Sequence, residues 1–555
     1  MNIIKGLPNQ AHKGQRAAVD TEFFNQIEGR LHRPHGDFAA MTIAMDGDDS
    51  VYLVQDQRDI PKALDLLDKG TWVMSNAVYD LTQLRRFADI QPRYIWDTEL
   101  VERCTFGGLY DNFSLKDQAR RWLDMHMEKE VREEFYTARE MTPQMEEYAA
   151  RDALVTLEIS KKQDEKFTGT RALDAYNLID EPAIWPTLDI QPMKVDVVQW
   201  EKNVSEYIRI AKETEDEIGV NSMSPQQVKR EATKYGLHLQ DTAALTLEEY
   251  KNDFPFVAGV LKARMYRKAV STYGLSWLEK YVEEGDLVYA GYRVTGAETH
   301  RRSSQNPNMQ QIPARKMPEY RDLFISKYGR MMVADVSAQE PRILAHESQD
   351  PVLIAAFITR EDVHQTVANA IQKDRDTGKI VNLATSYGMT ADGLARKLGI
   401  SVQEAERLLT AYFMRFKGVF AWIGMQRNTA RKLGYVTTVS GHPIYINPHN
   451  YQWENNAINS PIQGGAGDFS KMWERKLWEK CRSEGIPYSV CGLVHDEIII
   501  DPPKDVYKRT KELEIEAFND TAETLFPDVP FEQEIKSGKK WSCKKLSEED
   551  EEEEY

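Results

Sequence analysis

A chain of 555 residues with 41% hydrophobic side chains can bury several cores and has the length of about three or four folding units. No apolar run approaches the ~20 residues of a membrane span, which excludes helical membrane proteins, and four cysteines without a CxxC spacing exclude a zinc ribbon or a disulfide framework. The net charge of −17, in part due to seven acidic residues between Glu548 and Glu554, gives no support to nucleic-acid binding, so any such function must rest on where the basic residues lie. The N-terminus lacks the apolar segment of a secretory signal, and an intracellular protein is expected.

In chain order, RAAVDTEFF predicts a strand that presents Asp20 and Glu22 on one face. TWVMSNAVYDLTQL predicts a second strand, then Asn76 and Asp80, then a helix beginning near Leu81. SLKDQARRWL reads as a helix with a basic edge at Arg120 and Arg121, and MEEYAARDALVTLEI as a helix with Tyr148 and Asp152 one turn apart. Pro182, Pro186 and Pro192 then interrupt the apolar spacing, which predicts a boundary near residues 165–190. Residues 195–285 read as helical and charged. Within them Lys262, Arg264, Arg267 and Lys268 lie beside Tyr266 and Tyr273, a pattern that suits either a duplex backbone or a solvated face.

THRRSSQNPNMQQIP, from Thr299 to Pro313, is too polar to be core. In VADVSAQEPRILAH, a short strand from Met331 delivers Asp335 at its carboxyl end, and Glu340 opens a helix. A single strand-end aspartate is more often a helix cap. Arg375, Lys379, Leu383 and Tyr387 recur every four residues as one helical stripe with cations at one end, although Gly378 lowers the intrinsic helicity. Two further helices, ADGLARKLGIS and EAERLLTAYFMRF, follow, and ENNAINSPIQGGAGD places Asn459 and Gln463 one helical turn apart. CGLVHDEIIID then reads as two apolar strands around a turn bearing His495 and Asp496. Two strands that present aspartates at one sheet edge suit a two-metal phosphoryl-transfer site.

These motifs carry two resemblances. The order DxE, NxxxD and YxxxD resembles the DEDDy 3′-to-5′ exonucleases, which implies Asp20, Glu22, Asp80 and Asp152 as ligands of two divalent metals and Tyr148 as the group orienting the attacking water. THRRSSQNPNMQQIP resembles the TGRLSSxxPNLQNIP signature of the DNA polymerase I family, family A, with His300 and Arg302 in place of Gly and Leu. VADVSAQEPRILAH is similar to that family's DYSQIELRxLAH, departing at Val336, Ala338, Gln339 and Pro341. GYVTTVSGHPIYI resembles a hairpin that commonly reads GRRR, made less basic by His442 and Pro443.

The family A resemblance implies Asp335 and Asp496 as catalytic metal ligands, with Glu497 as a nearby support. Glu340, His364, Arg375, Lys379, Leu383 and Tyr387 would face the dNTP, and Leu383 stands where Phe or Tyr is usual. Arg301, Asn308, Gln311, Asn459, Gln463 and His495 would face the primer and template. The fold expected is an α/β and α+β multidomain chain, a ribonuclease-H-like exonuclease domain followed by a right-hand polymerase. The expected boundaries are exonuclease 1–165, connector 166–194, thumb 195–295, palm 296–345 and 451–545, fingers 346–450, and an acidic disordered tail 546–555.

The activity implied is template-directed DNA synthesis with proofreading, by a monomer using two Mg²⁺ per site or Mn²⁺ in their place. Primer-template DNA and dNTPs are the implied partners, with no membrane, and a replication helicase or single-strand-binding protein is the expected partner of the tail. The compact build resembles a bacteriophage replicative enzyme, which implies the cytoplasm of an infected bacterium. An exonuclease with a vestigial polymerase site and an acidic replication scaffold are the other readings the sequence leaves open.

Overall fold

The computed structural model describes residues 1–8, 15–25, 35–67, 70–90, 92–127, 130–386 and 388–543. Tyr387 and the acidic tail lie outside the described residues. No described helix is long and apolar enough to cross a membrane.

The first unit is a six-stranded sheet in the order Asn2–Lys5, Ser50–Val54, Asp37–Met45, Arg16–Phe24, Thr71–Met74, Tyr94–Asp97. Arg16–Phe24 pairs antiparallel with Asp37–Met45 and parallel with Thr71–Met74, so it is a central strand. Its apolar residues Ala17, Ala18 and Val19 are buried. The Pro143–Phe167 helix, with Thr142 accepting from the Met145 N–H at its N-cap, packs across this sheet. The helix after Met74 starts at Ala77, four residues earlier than the sequence suggests, because Asn76 takes up φ +67° and turns the chain directly from strand to helix. Asp80 therefore lies inside the helix's first turn rather than before it.

The segment rich in proline is helical. Arg171–Ala175, a π-turn at Tyr176–Asp180 and Glu181–Leu188 run on as consecutive helical pieces. Pro182 occupies the first turn of the last piece, where its missing N–H costs nothing, and Pro186 is accommodated within it. The helical arm that follows is built on Val197–Ile218 and Pro255–Tyr273, with Trp200 and Trp277 stacked at 4.5 Å. Two of the four basic residues expected to track a duplex are used internally: Arg264 donates to the Ser222 carbonyl at 2.6 Å, and Arg267 pairs with Glu215 at 2.5 Å.

The second sheet, in the order Val490–Val494, Glu497–Ile500, Met331–Val336, Gln533–Gly538, is antiparallel throughout and positions Asp335 directly opposite Glu497. Against it lie the 31-residue Trp453–Ser483 helix and a bundle of helices spanning Pro351–Leu433. Within that bundle Gly378 has a packing role. A Cβ there would stand 2.7 Å from the Ala368 Cβ, so glycine is what lets the Val363–Ile371 and Arg375–Ser386 helices meet closely.

A buried polar knot joins the two units. His442 bridges Asp180 at 2.6 Å and Asp468 at 2.9 Å, while Lys471 donates to Asp180 and to Thr295. These four ionisable side chains are fully buried and balance as two cations and two anions. Burial opposes a charged His442, but Asp468 and Asp180 outweigh it and hold the imidazole well above its ordinary range. His300 stacks on His442 at 4.6 Å. Arg302 pairs with buried Glu474 and donates to Thr187 at 2.5 Å. The residues that depart from the family A patterns at positions 300, 302 and 442 are thus parts of the same interior.

The Cys104, Asp180 and His442 donor atoms lie within 4.8 Å of one another, yet both His442 ring nitrogens are already engaged by Asp180 and Asp468. Removing one cation, as in Lys471→Met, leaves Asp180 short of its partner and is expected to lower stability by about 3–5 kcal/mol, read by denaturant unfolding.

Candidate active sites

In the first unit Asp20, Glu22, Asp80 and Asp152 converge where the Arg16–Phe24 strand meets the Ala77–Leu84 and Pro143–Phe167 helices. The Thr21 N–H and hydroxyl both donate to Asp80 Oδ1, at 3.1 Å and 2.5 Å. Asp20 Oδ2 and Asp152 Oδ1 are buried with no hydrogen-bond partner. Burial, then Asp80, Glu22 and Asp152, push Asp20 well above the carboxylate range. Glu22 rises to about 8 through burial and Asp152. Asp80 and Asp152 rise to about 7, chiefly through burial, each held down in part by a hydroxyl donor, Thr21 and Tyr148 respectively. Such a concentration of desolvated carboxylates with orphaned oxygens fits divalent cations bound by oxygen ligands.

The sign of the pH effect follows from these shifts. Folded-state values near 7 to 8 exceed the unfolded values near 4, so the metal-free protein binds more protons folded than unfolded between those limits, and loses stability as pH rises through them. Mg²⁺ that engages the carboxylates removes this cost. Thermal unfolding is therefore expected to show a larger Mg²⁺-induced rise in Tm at pH 8 than at pH 6; an equal rise at both would contradict the metal assignment.

In the second unit, Asp335 and Asp496 lie at the same edge of the antiparallel sheet. The turn is sharp, with His495 at φ +56°, and the Val336 N–H donates to the Asp496 carbonyl at 3.3 Å. Burial raises Asp335 to about 7, with Asp496 and Glu497 adding to it; burial also raises Asp496, partly offset by its own backbone N–H. Glu497 is held by Arg321 at 2.9 Å, and Arg321 lies over the Trp541 ring at 4.4 Å. Val336, Gln339 and Pro341 are buried around the strand-to-helix turn that carries Asp335 and Glu340.

Arg301 links the expected DNA-facing residues: its Nε donates to the Gln463 carbonyl at 3.1 Å, and its Nη2 pairs with Glu340 at 3.2 Å. This approach depends on Gly467, where a Cβ would crowd Arg301 Cα at 3.3 Å. Arg301, Gln310, Ser470, His495 and Asp496 border a cavity of about 180 Å³. Asn459 and Gln463 are half-buried on the Trp453–Ser483 helix, and His495 is exposed. Asn308 spends its side-chain oxygen on the Gln310 N–H at 3.0 Å, so it shapes its own turn, while Gln311 is exposed and its carbonyl accepts from Tyr273 at 2.7 Å.

Further out, Arg375 and Lys379 are exposed on their helix, with Leu383 half-buried. His364 Nδ1 lies 3.4 Å from Asn382, and Arg375 pairs with Asp362 at 2.5 Å. Tyr387 falls outside the described residues. Among residues the motifs did not single out, Arg321 fixes Glu497, and Asp97 accepts from the Asn76 and Ala77 N–H groups to set the turn before Asp80. Tyr79 presents a buried hydroxyl without a partner beside the first cluster. Its neighbour Asp80 marks the place in sequence, but nothing there distinguishes Tyr79 from a core tyrosine.

Residues 198–543 match a family model described as DNA polymerase family A, and residues 5–166 one described as a 3′-5′ exonuclease. Among curated proteins, the DNA polymerase I of Aquifex aeolicus is 26% identical over 542 residues, which cover 89% of this chain and 91% of that protein. The DNA polymerase I of Caldicellulosiruptor bescii is 33% identical over 57% of this chain, and that of Chloroflexus aurantiacus 29% over 71%. The chain spans only 38% and 46% of the length of those two. A solved structure described as the POL domain of Pol1 from M. smegmatis in complex with DNA primer-template and dNTP superposes with a TM-score of 0.82. It is 25% identical, and the match covers 95% of this chain and 96% of that one.

Proposed function

Because the chain belongs to DNA polymerase family A and also carries a 3′-5′ exonuclease domain, we propose that it extends a primer 3′ end with dNTPs at Asp335 and Asp496 and removes misincorporated nucleotides at the Asp20 cluster. The observation that carries the polymerase reading is the meeting of Asp335 and Asp496 at one sheet edge, where the Val336 N–H donates to the Asp496 carbonyl and Asp496 adds to the burial that raises Asp335. Two Mg²⁺ ions at each site would stabilise the attacking and leaving oxygens of an in-line phosphoryl transfer.

The chain's own residues do the rest. Asp335 and Asp496 hold one side of the polymerase site, with Glu497 kept near them by Arg321. Glu340, steadied by Arg301, stands where it would crowd a ribose 2′-hydroxyl. Arg375, Lys379 and His364 offer donors for the triphosphate, Arg in particular by bidentate contact. Arg301, Gln311, Asn459, Gln463 and His495 meet the duplex, where amide side chains suit the minor-groove acceptors common to every base pair. In the exonuclease site Tyr148 orients the attacking water beside Asp152.

Incubation with a primed template, Mg²⁺ and dNTPs tests this reading. Extension is expected; shortening alone would leave only a nuclease, and no change of length would leave a scaffold.

A further inference from the structure

We propose that Arg301 is a positioning residue for sugar selection: it holds the Glu340 carboxylate while it reads the primer terminus, so that rejection of ribonucleotides depends on the terminal base pair. The inference rests on the sugar-facing reading of Glu340 and the duplex-facing reading of Arg301, and deepens both.

Arg301 is firmly held. Its carbonyl accepts from the Gly296 and Ala297 N–H groups at 3.0 Å and 3.1 Å. Its Nε donates at 3.1 Å to the Gln463 carbonyl, a backbone acceptor within the Trp453–Ser483 helix. Gly467, one turn further along that helix, lets the segment lie close, since a Cβ there would stand 3.2 Å from the His300 carbonyl oxygen and 3.3 Å from Arg301 Cα and Cγ. From this position Nη2 reaches Glu340 Oε1 at 3.2 Å.

Glu340 arrives from a separate part of the chain. The Ser337 N–H donates to the Glu532 carbonyl at 2.9 Å, Ala338 takes up φ +51°, and the Gln339–Ser348 helix begins, with Glu340 in its first turn. The backbone under Glu340 is thereby set, but its carboxylate sits at the end of several rotatable bonds. A mobile carboxylate swings away from a ribose 2′-hydroxyl at little cost; one held by a charge-assisted hydrogen bond must break that bond first. Both side chains are partly exposed, 33% for Arg301 and 19% for Glu340, so the pair opens onto the cleft.

The same guanidinium is available to the primer. Arg301 borders the cavity that His495 and Asp496 also line. Among the described residues its Nη1 makes no hydrogen bond, and a planar fork can bind a minor-groove acceptor and a carboxylate at once. A correctly paired terminus presents its acceptor to the fork as it stands. A mispaired terminus displaces that acceptor, and a guanidinium that follows it lets Glu340 go.

The test compares kcat/KM for insertion of a dNTP and of the matching rNTP, in the Asp20→Ala background so that the primer is not shortened. On a matched primer Arg301→Met is expected to lower the dNTP-to-rNTP ratio by about 5-fold, the worth of one partly exposed ion pair, and Arg301→Lys to lower it less. A mismatched 3′ nucleotide is expected to lower the ratio by a similar factor when Arg301 is present and to leave it unchanged in Arg301→Met. In a Glu340→Ala background Arg301→Met is expected to slow both insertions alike. Insertion of the dNTP reports in each case that the variant is folded.

An arginine that only contacts DNA would slow dNTP and rNTP insertion equally. A ratio unchanged by Arg301→Met on the matched primer, or a mismatch effect that persists in that variant, overturns the proposal. Should Glu340→Ala by itself leave the ratio unchanged, the sugar-facing reading of Glu340 fails rather than its link to Arg301.

Discussion

Asp335→Ala is expected to reduce primer extension on the order of 10³-fold or more, while shortening of the same primer in the absence of dNTPs continues at the parental rate. The size of the effect comes from what Asp335 opposes. Its carboxylate is raised to about 7 by burial, by Asp496 and by Glu497. That repulsion makes the pair a strong cation site, and one carboxylate alone cannot position an ion between the primer terminus and the incoming phosphate. Glu497 cannot substitute, because Arg321 holds it at 2.9 Å and 3.0 Å. Gel-resolved single-turnover extension separates the chemical step from binding; a drop confined to KM would mean that Asp335 only helps to bind substrate.

Asp20→Ala is expected to have a comparable effect on the other activity, removing primer shortening by about 10³-fold while leaving extension of a matched primer intact. Asp20 is pushed well above its ordinary range by burial and by three acidic neighbours, and its Oδ2 has no partner. Alanine relieves this repulsion. The metal-free variant is therefore expected to unfold at a higher temperature than the parent at pH 8, an exchange of function for stability common at charged sites. A variant that lost both excision and stability would identify Asp20 as a structural residue.

The two carboxylate sets were legible in the sequence because each motif couples a local period to an apolar strand or helix. Asp20 and Glu22 alternate along one strand, Tyr148 and Asp152 stand one helical turn apart, and His495 and Asp496 sit between two strands. All of that survives in a one-dimensional pattern. The stacking of Phe135 on Phe24 does not, because the two lie more than one hundred residues apart in the chain. The same holds for His442, whose partners Asp180 and Asp468 lie 262 and 26 residues away.

The departures at His300, Arg302 and His442 look like unrelated losses of family pattern when read along the chain. Packed together, they are parts of one buried polar interior joining the two units. Gly378 misleads in a different way. Helix propensity counts it as a weakness, whereas the closeness of the neighbouring helix makes it a requirement.

The central claim is that one chain holds two separable sites, one that builds and one that removes. A primer with a mismatched 3′ nucleotide, annealed to template and supplied with Mg²⁺ and dNTPs, tests it in one experiment. The parent protein is expected to yield full-length product, Asp20→Ala to stall at the mismatch with the primer intact, and Asp335→Ala to shorten the primer without rebuilding it. Mixing the two variants should restore full-length product. Full-length product from Asp335→Ala alone, or loss of both activities in either variant, would contradict the account.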